Sequence, residues 1–170
     1  MTSASSRRDE VDDIVDSWSR ERPDLDVRPL HVLSRITRLA RHLDRARAAA
    51  FTQHALETWE FDVLAALRRS GPPYALTAGA LSTETMVTSG TMTNRVDRLI
   101  ERCLVTRNPD PADGRGVLVA LTDAGRQRVD DALTDLLARE EQLLAALTSD
   151  DREVLTHALR SLGLPFDQID

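Results

Sequence analysis

Apolar residues recur at every third or fourth position along most of the chain, a spacing that predicts a mainly helical protein. Ser, Thr or Asp precedes several of these apolar runs, where such side chains cap helix N-termini. Proline or glycine follows several of them and marks where a helix ends. The predicted helices cover about residues 9–20, 28–55, 58–69, 89–102, 122–147 and 149–162, and a further short helix begins after Leu76 with Thr77 as its N-cap.

The helical pattern stops at Leu104. Residues 104–107 and 116–121 are rich in Leu and Val and predict two strands, and the loop at 108–114 between them holds Asn, Pro, Asp and Gly, which favour turns. Two closely spaced helices followed by a hairpin outline a winged helix-turn-helix. The predicted fold class is therefore mainly α with a small β-hairpin wing.

Composition favours a globular protein that has neither a membrane-spanning segment nor a bound metal. The 170 residues suffice for one medium domain with extra helices. No apolar run approaches the ~18–20 residues of a membrane span, and the start, MTSASSRRDEVDD, lacks the apolar core of a signal peptide, so we expect a cytoplasmic protein. Cys103 is the only cysteine, which excludes an internal disulfide and a cysteine cluster. We expect no metal and no cofactor.

The charge of the chain is unevenly distributed. The formal net charge of −6 argues against indiscriminate binding of nucleic acid. Residues 1–26 carry four arginines against eight carboxylates, whereas residues 85–116 carry five arginines against four. Because DNA binding depends on where the field is positive, this local contrast leaves DNA binding open.

The helix at 89–102 carries side chains suited to reading DNA. Asn pairs with adenine, Arg pairs with guanine, and a helix N-terminus with small residues approaches phosphates closely. The alternative is an ordinary solvated helix face, but the hairpin that follows favours DNA reading. The exposed candidates are Ser89, Thr91, Thr93, Asn94, Asp97, Arg98 and Arg102.

The hairpin loop supplies one more candidate. Arg115 lies between Gly114 and Gly116, which leave it free to enter a minor groove, and Asp113 is close enough in sequence to hold its guanidinium. The alternative is a polar turn without a function. The hairpin that carries Arg115 lies directly after the predicted DNA-reading helix, which favours a DNA contact.

Three runs of sequence resemble the MarR family: TMTNRVDRL at 91–99, DGR at 113–115 and LTDAG at 121–125. The resemblance implies an obligate homodimer with interlocking terminal helices that binds a double-stranded DNA operator, in most cases as a repressor. This sequence departs from the family pattern at Gly114, where many members carry Arg. We divide the chain into an extra N-terminal helix (1–26), a dimerisation region (27–56 and 122–170) and a DNA-binding domain (57–121).

Within that family, a tryptophan on an extra N-terminal helix resembles the urate-responsive, PecS-like subgroup. The matching positions are Trp18, Asp62, Arg95 and Arg107. The resemblance implies that Trp18 stacks on a flat aromatic anion such as urate or a related purine, that Arg107 binds its charge, and that Asp62 pairs with Arg95 when the pocket is empty. Taken singly, each residue also fits an ordinary structural role.

Two other classes of function compete with this interpretation. An enzyme would need a nucleophile with its base or a metal cluster, and the sequence has neither, since Cys103 is expected to be buried and inert on the apolar side of its helix. We therefore expect no enzymatic activity. A helical small-molecule-binding or interaction protein without sequence-specific DNA binding remains the alternative.

Overall fold

The computed structural model describes residues 8–111 and 116–166. The chain divides into two compact units, Met1–Ala48 and Ala49–Asp170. It is mainly helical with a small antiparallel sheet, as the sequence predicts. The elements are α1 (Glu10–Glu21), α2 (Leu30–Gln53), α3 (Thr58–Arg69), β1 (Ala75–Thr77), α4 (Ala78–Glu84), α5 (Ser89–Glu101), β2 (Val105–Pro109), β3 (Val117–Leu121), α6 (Asp123–Leu144) and α7 (Ser149–Gly163).

The first unit consists of α1 and most of α2. Asp9 caps α1, because its carboxylate accepts hydrogen bonds from the backbone N–H groups of Val11 at 2.9 Å and Asp12 at 3.2 Å. Arg35 of α2 donates to both carboxylates, at 2.8 Å from Asp9 and from Asp12. Val11 and Val15 are buried. The extra N-terminal helix is thus a capped, amphipathic helix held by ion pairs to α2.

The second unit contains the hydrophobic core. The rings of Phe51 at the end of α2 and Phe61 in α3 stack with their centroids 4.0 Å apart. Helices α3 and α6 pack on each other, and α4, α5 and the sheet complete the unit. The buried core residues are Ala50, Phe51, Leu56, Phe61, Val63, Leu64, Ala66, Leu67, Leu81, Met92, Val96, Leu99, Leu104, Val105, Val119, Val129, Ala132 and Leu136.

Helices α4 and α5 form the helix-turn-helix. The Thr77 hydroxyl accepts from the backbone N–H of Ala80 at 3.1 Å, and the Thr88 hydroxyl accepts from Thr91 at 3.3 Å, so both helices begin at the capping residues that the sequence predicts. Met86 lies between them with φ 51°, a left-handed turn residue. Every third or fourth residue of α5 is buried, which leaves its opposite face to solvent.

The wing is part of a three-stranded antiparallel sheet in the order β1-β3-β2. In this sheet Arg107 of β2 lies opposite Val119 of β3. The hairpin is the predicted one, but β1, which pairs Leu76 with Val119, is absent from the sequence prediction. Three residues are too few to show an alternation, so β1 forms only because β3 offers it a free edge.

The expectation that Cys103 is buried is wrong. Helix α5 ends at Glu101, and Cys103 takes a left-handed conformation with φ 56° and is exposed. Its backbone N–H donates to Ile100 at 2.8 Å and that of Leu104 donates to Leu99 at 3.0 Å, the pair of bonds that defines a Schellman motif. The turn directs Leu104 into the core in place of Cys103.

Helix α7 begins at Ser149, as predicted, and Thr148 caps it. The Thr148 hydroxyl accepts from the backbone N–H of Asp151 at 3.2 Å. No helix within the described ranges is long and apolar enough to cross a membrane.

Gly125 marks a close approach between α6 and the turn that follows α5. The Thr122 hydroxyl caps α6 by accepting from the Gly125 N–H at 2.9 Å, and the Thr122 N–H donates to the Leu104 carbonyl at 3.1 Å. A Cβ added to Gly125 would lie 2.0 Å from the same carbonyl oxygen. Only glycine fits at this point of the LTDAG run.

We expect Gly125→Ala to lower the free energy of unfolding by about 2–3 kcal/mol, because backbone must move to admit the methyl group. Gly79→Ala is the matched control, since its Cβ would meet only the Thr77 hydroxyl at 3.8 Å. This control should be neutral or stabilise by about 0.5–1 kcal/mol through helix propensity. Urea unfolding followed by circular dichroism measures both, and equal stability of the two variants would contradict the close contact.

Candidate nucleic-acid interface

The N-terminal half of α5 presents a polar, exposed face. Ser89, Thr91, Thr93 and Asn94 are all exposed. The Thr93 hydroxyl donates to the Ser89 carbonyl at 3.0 Å, which ties that side chain to the helix backbone. The amide of Asn94 therefore stands among short side chains, where a base edge in a groove could reach it.

Arg98, on the same helix, is engaged by the start of α3. Its guanidinium donates to Glu57 at 3.0 Å and lies 4.8 Å from the ring centroid of Trp59. The indole N–H of Trp59 donates to the other oxygen of Glu57 at 2.7 Å. The guanidinium of Arg95 lies over the same ring at 5.5 Å. Two arginines of the predicted DNA-reading helix thus contact one tryptophan of α3.

A second contact joins the same two helices below the surface. Glu60 is only 1% exposed, and its carboxylate binds the guanidinium of Arg102. Arg102 also donates to the carbonyl of Ala55 at 2.5 Å, and Glu60 accepts from the backbone N–H of Glu57 at 2.9 Å. A buried charge with several hydrogen bonds holds its partner firmly. We call the five side chains Glu57, Trp59, Glu60, Arg98 and Arg102 the α3–α5 clamp.

Electrostatics keep the exposed carboxylate of the clamp ionised. The hydrogen bond from the Trp59 indole, and then the charge of Arg98, hold the pKa of Glu57 below its usual value. Glu57 therefore carries a full negative charge beside the arginines of α5 at neutral pH.

On the other side of α5, an ion pair links the helix to the wing. Arg107 in β2 lies 2.6 Å from the carboxylate of Asp97 in α5, with both side chains partly exposed. The backbone N–H of Asp110 donates to the Gly116 carbonyl at 2.9 Å, which closes the hairpin. Arg115, the predicted minor-groove residue, lies outside the described residues.

The four predicted effector residues fall in different parts of the chain. Trp18 belongs to α1 in the first unit and is 51% exposed. The other three belong to the second unit, where Asp62 is half-buried in α3, Arg95 contacts Trp59 and Arg107 pairs with Asp97. The predicted contact between Asp62 and Arg95 stays a prediction.

The sequence reasoning did not single out Glu57, Trp59 or Glu60. A signal was present, since two glutamates three residues apart at the start of a predicted helix fit a capping pattern. That pattern does not reveal which arginines of a distant helix the carboxylates bind. The partners become visible only in the folded unit.

Known proteins resemble the chain over most of its length. A model of the MarR family matches residues 54–116. The transcriptional regulator PecS of Dickeya dadantii is 36% identical over 154 residues, which is 91% of each protein. The crystal structure of Sco5413, a MarR family transcriptional regulator from Streptomyces coelicolor, covers 85% of this chain and 99% of its own, with 26% identity and a TM-score of 0.68.

A further solved structure is that of BpsR from Bordetella bronchiseptica, and it concerns how 6-hydroxynicotinic acid regulates the DNA binding of BpsR. It is 28% identical, covers 76% of this chain and 98% of its own, and has a TM-score of 0.57. The named relatives are transcription regulators, in agreement with the expectation that the chain is not an enzyme.

The clamp makes a prediction about stability. Glu60→Gln keeps the size and the acceptor oxygen but removes the charge, which leaves Arg102 without its buried partner. We expect the free energy of unfolding to fall by about 2 kcal/mol, less than for a fully buried pair because Arg102 is 33% exposed.

Glu84→Gln is the matched control for this change. Glu84 pairs with Arg69 at 3.3 Å, and both side chains are more than half exposed. Its loss should change stability by under about 0.5 kcal/mol. Chemical denaturation measures the free energy of unfolding of both variants, and equal losses would show that the Glu60–Arg102 pair contributes no more than an exposed ion pair.

Proposed function

The chain belongs to the MarR family, and we propose that it is a ligand-responsive transcription repressor that a small aromatic anion such as urate releases from its DNA operator. The observation that carries this proposal is the exposed, polar N-terminal half of α5, a helix followed directly by a hairpin wing. The 36% identity to PecS along 91% of the chain supports the same function.

DNA recognition rests on α5 and the wing. Asn94 would pair with a base edge in the major groove, and the hydroxyls of Ser89, Thr91 and Thr93 would bind phosphates. The methyl groups of the two threonines could contact a thymine methyl group. Arg98 is a further candidate on the same face. Arg115 would enter the adjacent minor groove from the wing, which supplies a contact that α5 cannot reach.

A homodimer would present two such surfaces to successive grooves. Helix α7 buries none of its residues, and its apolar side chains Leu155, Leu159 and Leu162 are exposed. Leu133 and Leu137 of α6 are also exposed. A second copy of the chain would cover this apolar surface, which supports residues 27–56 and 122–170 as the dimerisation region.

The effector site would use Trp18, Asp62, Arg95 and Arg107. A planar anion suits the ring of Trp18 and the guanidinium of Arg107. In the free protein, Arg107 pairs with Asp97 at 2.6 Å. An anion that takes Arg107 from Asp97, or disturbs Arg95, would act directly on the helix proposed to read DNA. If the anion binds the arrangement that does not bind DNA more tightly by ~1–3 kcal/mol, this is enough to regulate DNA binding.

The alternative function is a helical small-molecule-binding protein without sequence-specific DNA binding. The net charge of −6 is the observation that favours it. A comparison of operator and random duplexes separates the two functions, because the alternative predicts no preference between them.

For DNA binding, we expect Asn94→Ala and Arg115→Ala each to weaken binding to the intergenic DNA upstream of the gene by about tenfold or more. Asn94→Ala should leave binding to random DNA unchanged, because phosphate contacts remain. Gel shifts measure these affinities, with Gln127→Ala on the exposed face of α6 as control. Full affinity in both test variants would refute the proposed interface.

For the effector, we expect urate to weaken the DNA complex and to bind the free protein. Trp18→Ala and Arg107→Ala should lower the urate affinity about tenfold while DNA binding persists, because each removes one contact to the anion. Calorimetry and gel shifts with urate provide the measurement. Arg20→Ala, on the same helix as Trp18, is the control, and a normal urate response in both test variants would exclude this pocket.

A further inference from the structure

The two carboxylates of the α3–α5 clamp hold their arginines in very different surroundings. Glu60 is 1% exposed, and its partner Arg102 is also bound to the Ala55 carbonyl. The side chains of Glu57 and Arg98 are 59% and 58% exposed. Arg98 and its partner lie one turn before Arg102, the C-cap of α5. The end of this helix is thus bound to one buried carboxylate and to one exposed carboxylate.

Exposed and buried ion pairs differ in how readily they exchange partners. A pair between solvated side chains is worth about 0–1 kcal/mol, so another anion replaces either partner at little cost. Breaking a buried pair strands a charge away from water and costs several times more. Arg98 can therefore leave Glu57 while Arg102 stays on Glu60.

We propose that Glu57 is an internal competitor of DNA for Arg98, and that a DNA phosphate displaces its carboxylate when α5 enters the groove. This inference rests on the proposed role of α5 in reading DNA. Glu57 is then a positioning residue: it holds Arg98 ready over the Trp59 ring in the free protein and weakens the complex by the competition.

Trp59 makes the exchange geometrically simple. The ring lies under the guanidinium of Arg98 at 4.8 Å, so the N–H groups at the guanidinium edge can turn from a carboxylate to a phosphate while the stacking persists. The indole N–H remains bonded to Glu57 at 2.7 Å. The released carboxylate thus stays close to Arg98 and can bind it again when the phosphate leaves.

The test measures the affinity for a fluorescent duplex of the upstream intergenic DNA by anisotropy, over a range of KCl concentrations. Glu57→Gln removes the charge of the competitor and keeps an oxygen for the Trp59 indole. We expect it to bind DNA about fivefold more tightly at low salt, with a smaller gain at high salt because screening weakens the Glu57–Arg98 ion pair with which DNA competes. Arg98→Ala should weaken binding and reduce the salt dependence by about one phosphate contact.

The double variant Glu57→Gln/Arg98→Ala isolates the competition. In the absence of Arg98, the loss of the Glu57 charge should bring no gain in affinity. Glu141→Gln is the matched control, because Glu141 pairs with Arg152 at 2.8 Å and is 65% exposed in another part of the unit. It removes the same charge and should leave the DNA affinity unchanged.

Three results would overturn the inference: unchanged or weaker DNA binding by Glu57→Gln, a gain that persists without Arg98, or an equal gain in Glu141→Gln. Thermal unfolding checks that Glu57→Gln is folded. If it is not, Glu57→Ser, which places a preferred uncharged N-cap residue before α3, should give the same gain in DNA affinity. If Asn94→Ala and Arg98→Ala both bind as tightly as the parent, the proposed function of α5 fails instead.

Discussion

An ion pair between the buried carboxylate of Glu60 and Arg102 holds the end of α5 against α3. A carboxylate that is 1% exposed tolerates its charge only with a guanidinium and hydrogen bonds around it, and here it has both. Because Arg102 also binds the carbonyl of Ala55, the same guanidinium reaches the turn between α2 and α3. The end of α5, the start of α3 and the turn after α2 therefore meet at one corner.

Around this corner, the surface of α5 is held by weaker contacts on both sides. Glu57, at the start of α3, binds Arg98 of α5, and Arg107, in the wing, binds Asp97 of α5. Both pairs are accessible to solvent, so phosphates and small anions can compete for their arginines. The proposed regulator needs a helix that is firmly placed yet responds to ligands, and one pair with a buried carboxylate beside two exposed pairs would provide both properties.

Local chemistry made much of this fold predictable from the sequence. Thr77, Thr88 and Thr122 cap α4, α5 and α6, so the boundaries of these helices follow from single side chains. Strand β1 and the exposure of Cys103 were not predicted, because the first depends on the edge of β3 and the second on the left-handed turn that ends α5. The partners of Glu57 and Glu60 are about 40 residues away along the chain, and no spacing pattern encodes contacts of that range.

The turn that ends α5 gives the protein a single chemical handle. Cys103 is the only cysteine of the chain, and the left-handed turn exposes its sulfur between the helix and the wing. A thiol-reactive fluorophore or spin label would therefore attach at one place, directly after the helix proposed to read DNA. Spectroscopy could report the binding of DNA or of an anion in solution without any engineered residue, since the fold already provides a unique attachment point.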